Sequence, residues 1–336
     1  MTETVLVTGG SGFIGGWCIA ELLKRGYAVR TTLRSLAKEP ALRSAVAAAG
    51  ASGDRLNVHV ADLTRDAGWD DAMRGCDYVL HVASPLGTGV SDDPGAFVAA
   101  ARDGALRVLA AAVKAGVRRV VMTSAAATAR PPLDVSNASD ETVWADPDDR
   151  QFDSYRRSKI LAERAAWAFM AGKPTAFTTI LPGAVFGPVL TKESLGSVGV
   201  IAGLLHGRPP GIPRIGFWIV DVRDLADLHI RAMLAPQAAG ERFLAAGDFL
   251  WMAQIAATLR AALAARGAKI PARRLPDFAV RVLALFVARL RMIRPLLGVK
   301  TDLSTAKARR MLGFAPRPAT QTVLDCARSL LAGKTV

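Results

Sequence analysis

The sequence predicts an α/β fold, a doubly wound parallel sheet followed by a smaller C-terminal lobe, and three observations carry that reading. Short strand-like runs alternate with helical patterns from residue 4 to about 181. Glycines punctuate the junctions: Gly26 closes the first helical pattern and Gly116 the fourth, each just before a strand. The strands themselves, such as Tyr78–Val82 and Val117–Met122, are apolar on both sides, as expected when helices cover both faces of a sheet.

Taken in order, strands are expected at 4–8, 27–33, 56–61, 77–82, 117–123 and 175–181, with helices at 13–25, 36–50, 66–74, 94–115 and 155–171. The stretch 182–216 is rich in Gly and Pro and reads as loops with one short helix, the kind of segment that shapes a substrate site on a rigid scaffold. A strand at 217–221, a helix at 223–234, a strand at 242–246 and further helices follow. Residues 1–181 therefore form the expected cofactor-binding core, with segments of 217–246 returning to it, and 182–336 mainly the substrate-binding lobe and C-terminal helices. The amphipathic segment Phe278–Arg294 reads as an ordinary surface helix with its apolar face on the core, in preference to a lid or a membrane-touching helix.

About half of the 336 residues are apolar and no long polar tract interrupts them, so a globular fold is expected throughout. No apolar run has the length to span a bilayer, and the N-terminus shows no signal-peptide pattern. Cys18, Cys76 and Cys326 are widely spaced and odd in number, which suits reduced thiols in a cytoplasmic protein better than a disulfide or metal framework. The net charge of +14 is unevenly placed: residues 251–336 hold 16 Lys/Arg against 3 Asp/Glu. No nucleic-acid module accompanies that excess, so no nucleic-acid partner is expected, and a solvated Arg-rich surface is preferred over attraction of a polyanionic cofactor or an acidic membrane.

The strongest local signal is the run from Val5 to Gly15, a strand entering glycines at 9, 10, 12 and 15 with a helix directly behind. Gly9, Gly12 and Gly15 permit the tight turn and close backbone approach to a pyrophosphate, and the helix opening at Phe13 and Ile14 supplies free N–H groups and a positive dipole end. This is the dinucleotide-binding arrangement of a Rossmann sheet. The second strand ends Thr31-Thr-Leu-Arg34-Ser35 with no acid to hold a ribose 2′-hydroxyl, whereas Arg34 suits a 2′-phosphate. NADPH/NADP+ is the expected cofactor.

Tyr155 and Lys159 stand at i and i+4 of a helical stretch and share one face. A neighbouring ammonium favours the phenolate and so lowers the tyrosine pKa toward a useful range. Behind a dinucleotide loop, the pair reads as the proton donor for reduction of a carbonyl group.

These residues and several further runs resemble an extended short-chain dehydrogenase/reductase, of the dihydroflavonol 4-reductase and cinnamoyl-CoA reductase-like group. The similar runs cover most of the chain: TGGSGFIGGW at 8–17, Arg34, Ala61–Leu63, His81–Pro85, Val120–Thr123, DETVW at 140–144, YRRSK at 155–159, LPGAVFGP at 181–188, DVRDLADLH at 221–229 and KARRMLGF at 307–314. The resemblance implies that Asp62 and Leu63 lie against the adenine, that Ala83 lines the cofactor channel, that Pro182 and Val185 flank the nicotinamide, and that Lys159 also bonds the nicotinamide ribose.

Two departures stand out. The family's catalytic serine falls on Ala125, and loss of such a donor typically costs about 10²–10³-fold in rate. Ser124 one place earlier, Thr128 in the following loop, or Tyr155 unaided are the three replacements, with Ser124 named as the candidate catalytic hydroxyl although consecutive strand residues face opposite ways. The second is Arg130, where the flavonoid reductases carry a substrate-contacting asparagine. An NADPH-dependent carbonyl reductase acting on an aldehyde, ketone or ketoester is therefore expected, as monomer or homodimer with a small-molecule substrate and no metal. A hydroxysteroid-type dehydrogenase and a catalytically degenerate dinucleotide-binding sensor are the alternatives.

Overall fold

Val5 and Val7 of β1 (Thr4–Thr8) pack into one apolar core while Leu6 between them packs into another. Side chains of a strand alternate between faces, so a strand apolar at every position needs helices on both sides. The computed structural model describes residues 2–85, 94–132, 138–149, 152–191, 196–263 and 269–333. Strands and helices are numbered along the chain.

Seven strands form one all-parallel sheet: β1, β2 (Ala28–Leu33), β3 (Leu56–Val60), β4 (Tyr78–His81), β5 (Arg119–Thr123), β6 (Ala176–Pro182) and β9 (Glu241–Ala245). Their order is β3-β2-β1-β4-β5-β6-β9. The chain winds outward from β1 in one direction through β3, then starts again at β4 in the other. A crevice opens above the carboxyl ends of β1 and β4 at that reversal, where such sheets bind ligands. One face is covered by α1 (Phe13–Lys24), α2 (Glu39–Ala48) and α7 (Val222–Leu234), whose Ile19, Val46 and Leu225 share a core with Val5 and Val7. The other is covered by α3 (Trp69–Met73), α4 (Pro94–Lys114) and α5 (Ser154–Met170), with Met73, Leu109 and Ala166 around Leu6.

The lobe has its own core. β7 (Ala184–Phe186), β8 (Gly216–Asp221) and β10 (Phe249–Trp251) form a small mixed sheet, and α6 (Val198–Leu205), α8 (Met252–Leu263) and α12 (Ala319–Ala332) pack Ile201, Ile255 and Val323 against Phe186 and Ile219. Asp221 joins the two parts. It caps α7 by accepting from the Arg223 N–H at 2.9 Å, and the Arg223 guanidinium bridges it to Asp325 of α12, each at 2.7 Å.

Two expectations change. The segment 217–221 does form a strand, but it pairs with β7 and β10 rather than returning to the main sheet; α7 and β9 make the return, with β9 on the edge left by β6. The segment Phe278–Arg294 is not one helix with a buried apolar face. It breaks into α9 (Asp277–Leu283) and α10 (Ala288–Ile293), and although Val280 and Ala284 are buried, Phe278, Val282, Leu285 and Phe286 are exposed. Part of the expected loop region, residues 192–195, lies outside the described residues. The three cysteines are free and buried; among the described residues there is no metal-binding cluster and no helix long and apolar enough to cross a membrane.

Candidate active site

A cavity of about 820 Å³ lies over the crevice at the carboxyl ends of the central strands. Its first wall is the glycine loop. Gly9 follows β1 at φ +70°, a left-handed backbone that glycine adopts without strain, and a Cβ on Gly15 would stand 2.4 Å from the Gly9 carbonyl oxygen. The Gly12 N–H closes the turn on that oxygen at 2.9 Å. Gly12 caps α1 with no side-chain hydrogen bond, and the first turn holds no acid, so the opening N–H groups of a 12-residue helix face the cavity. Thr32 ties the loop to β2 by accepting from Gly9 N at 3.2 Å through its hydroxyl and from Gly10 N at 3.3 Å through its carbonyl.

Phe13, Ile14, Arg34, Asp62, Leu63 and Ala83 all line this cavity. Arg34 is exposed at the end of β2, near the Asp62 carboxyl, whose pKa lies below its ordinary value. Burial acts against the carboxylate, but two hydrogen bonds from Thr64 and the charges of Arg34 and Arg65 outweigh it. Pro182 and Val185 line the far side, where β6 gives way to β7.

The chemistry-bearing helix is α5. Asp153 caps it, accepting from Arg156 N at 2.8 Å, which places Tyr155 in the first turn and Lys159 one turn on. Both line the cavity. Lys159 is buried, donates to the Thr123 carbonyl at 3.4 Å, and is pushed down by that burial to a pKa of about 8, with Glu163 opposing. His81 stays neutral beside it: burial, then the charge of Lys159, push it down to about 3. Thr8 accepts from Val82 N and Ala83 N, so its own proton goes to His81 Nδ1 at 2.9 Å. The Tyr155 pKa differs from the sequence expectation. Burial and Asp153 raise it, against Arg156, because the phenolate would sit in a poorly solvated wall.

Ser124 and Thr128 are both engaged elsewhere. The Ser124 hydroxyl donates to Glu163 Oε2 at 2.5 Å, and the Thr128 hydroxyl donates to the Ala125 carbonyl at 2.8 Å and accepts from Arg242 at 3.2 Å. Ser124 lines the cavity, but its proton points into the buried Glu163–Arg242 pair rather than toward a substrate.

The model of the NAD dependent epimerase/dehydratase family matches residues 5–246. The chain belongs to this family. Within it, the chain is 34% identical to a dihydroflavonol 4-reductase of Zea mays over 76% of this chain and 73% of that protein. It is 37% identical to cinnamoyl-CoA reductase 1 of Petunia hybrida over 74% of each. Among solved structures it resembles Gre2 of Candida albicans in its NADPH complex, with a TM-score of 0.82 and 26% identity over 98% of this chain and 99% of that one. The yeast methylglyoxal/isovaleraldehyde reductase Gre2 with NADPH gives 0.81 and 25% over 99% of each. This member of the family is an oxidoreductase of the extended short-chain dehydrogenase/reductase type.

Several features of the site escape the sequence reading. Glu163 and Arg242 are nearly eighty positions apart, and only the pairing of β6 with β9 brings them together at 3.0 Å. Phe217, Trp218 and Phe249 build an aromatic wall on the lobe side of the cavity. Ser84 lines the cavity after β4, and no hydrogen bond engages its hydroxyl among the described residues.

Proposed function

We propose that this chain reduces the carbonyl group of a small-molecule substrate, using NADPH and the Tyr155/Lys159 pair. The observation that carries the reading is that Tyr155 and Lys159, on successive turns of α5, line the same cavity as the uncapped N-terminus of α1 and Arg34. The residues fit the cofactor. Gly9, Gly12 and Gly15 with the N–H groups of Phe13 and Ile14 would hold the pyrophosphate, and Arg34 the 2′-phosphate. Asp62 and Leu63 would lie along the adenine, Ala83 along the channel, and Pro182 and Val185 beside the nicotinamide. When bound, the cofactor supplies the hydride.

Tyr155 then delivers the proton to the carbonyl oxygen. Lys159, held by the Thr123 carbonyl, lines the same cavity and would donate toward the cofactor ribose. Ser124 is assigned to the Glu163 network and Thr128 to the turn after β5, so Tyr155 acts without a partner hydroxyl from either. Residues 1–181 with α7 and β9 serve the cofactor, and the small sheet with its helices serves the substrate.

The test follows NADPH oxidation with aldehydes, ketones and ketoesters as substrates. Activity is expected with some of them, falling at least about 10²-fold in Tyr155→Phe, since removing a general acid costs that much or more. NADPH binding with no turnover of any carbonyl would identify a sensor instead.

A further inference from the structure

Arg130 lines the cavity, and the described residues leave its guanidinium without a hydrogen bond or ion pair. It ends the 3₁₀ turn Ala126–Ala129 after β5, and lines the cavity with Tyr155 and Arg156. Arg156 is paired with Asp153 at 2.8 Å. The Arg130 guanidinium has no hydrogen bond or ion pair with any described residue. It is half-buried, and burial together with the charge of Arg156 lowers its pKa, with the charge of Asp149 opposing. A guanidinium does not shed its proton in a protein, so it stands as a partly desolvated charge with no anion paired to it among the described residues. Pro131 follows it and holds Arg130 in an extended backbone, φ −87° and ψ 122°, so the side chain is offered from a fixed base.

The 2′-phosphate that Arg34 would hold is not the anion to pair with Arg130. Arg34 stands at the end of β2, three strands from β5, which at about 4.8 Å per strand is roughly 14 Å away. The helix terminus for the pyrophosphate lies between them, behind β1. Arg130 is on the substrate side, beside Ala129, whose carbonyl accepts from Ser139 at 2.5 Å, and Ser139 pairs with Leu303 of the lobe.

We propose that the substrate of this enzyme carries a carboxylate that Arg130 binds, so that the chain is a reductase of oxo acids with an apolar or aromatic body. The inference rests on the carbonyl-reductase reading of the cavity. Arg130 takes the carboxylate through two parallel N–H donors, Tyr155 faces the carbonyl, and the wall of Phe217, Trp218 and Phe249 receives the remainder.

The experiment compares aryl 2-oxo and 4-oxo acids with their methyl esters, in the wild type and in Arg130→Met and Arg130→Lys. In the wild type the acid is favoured in kcat/KM at one or both spacings. In Arg130→Met the acid-to-ester ratio falls about 100-fold, the size expected for a charge-assisted pair, and Arg130→Lys recovers part of it. A parallel titration of the NADP+ complex with the corresponding aryl carboxylates, read by the fluorescence of Trp218, is expected to weaken by a similar factor in Arg130→Met. Esters reduced as well as acids, with carboxylate binding indifferent to Arg130→Met, overturn the proposal and leave the reductase intact. Arg130-dependent carboxylate binding without turnover of any carbonyl supports the anion site and overturns the reductase reading. Absence of carboxylate binding overturns the anion site.

Discussion

Ser124 donates its hydroxyl proton to Glu163 across 2.5 Å, and this engages a hydroxyl at the end of β5 in a buried network behind the cavity. Glu163 lies on α5 one turn beyond Lys159 and also accepts from Thr179 at 2.9 Å and Arg242 at 3.0 Å. The helix that carries Tyr155 and Lys159 is thereby tied to β5, β6 and β9 through one buried carboxylate.

Ser124→Ala is expected to lower stability by about 2 kcal/mol, the worth of a hydrogen bond to a charged group, while kcat changes far less than the 10²-fold of a lost substrate donor. Urea unfolding and steady-state kinetics on the same preparation check this. A kcat loss of 10²-fold or more without a stability change would return Ser124 to the catalytic group.

Arg242→Met should destabilise more severely. Arg242 faces Glu163, donates to the Glu141 and Val143 carbonyls, and stacks 3.7 Å from the Trp144 ring. Removing one partner of a buried pair leaves the other uncompensated, which costs about 3–5 kcal/mol. The expected readout is a urea midpoint well below that of Ser124→Ala, and an unchanged midpoint would contradict the assigned network.

Lys159 imposes a pH dependence. Its pKa of about 8 in the folded chain lies below its value of 10.5 in the unfolded chain. Between those values the unfolded state binds more protons, so the contribution of this group to stability grows more favourable as pH rises from about 8. Cofactor binding is expected to run the opposite way, because the ammonium proposed to donate to the ribose is lost over the same range. The NADP+ dissociation constant is expected to be flat approaching pH ~8 and to rise above it, with the inflection absent in Lys159→Met. A dissociation constant that stays flat to pH ~10 would show that Lys159 does not donate to the cofactor.

Arg34→Ala should reduce the preference for NADPH over NADH in kcat/KM by about 10–100-fold, mostly through weaker NADPH binding. The ratio measured with both cofactors decides it. An unchanged ratio would assign the 2′-phosphate elsewhere on the rim.

Much of this was legible in the linear chain because the signals were local. The glycine loop needs only a strand, a tight turn and a helix start, all within residues 4–24, and Tyr155 and Lys159 need only helical periodicity. The fate of Ser124 was not legible, since its partner on α5 is 39 positions away and is placed by packing. Phe278–Arg294 misled for a related reason. Its periodicity suited one amphipathic helix, yet nothing in periodicity tells where a chain breaks or which apolar side chains find a surface to cover them.

The glycine loop that opens the chain was therefore determined by sequence alone, together with the parallel sheet behind it and the pairing of Tyr155 with Lys159 on one helical face. Tertiary structure decided which polar groups remain available for chemistry. Burial of a hydroxyl or a charge requires a partner, and partners come from strands and helices distant in the chain. Ser124 found Glu163, and Arg242 closed that network. Arg130 found no partner among the described residues and faces the cavity.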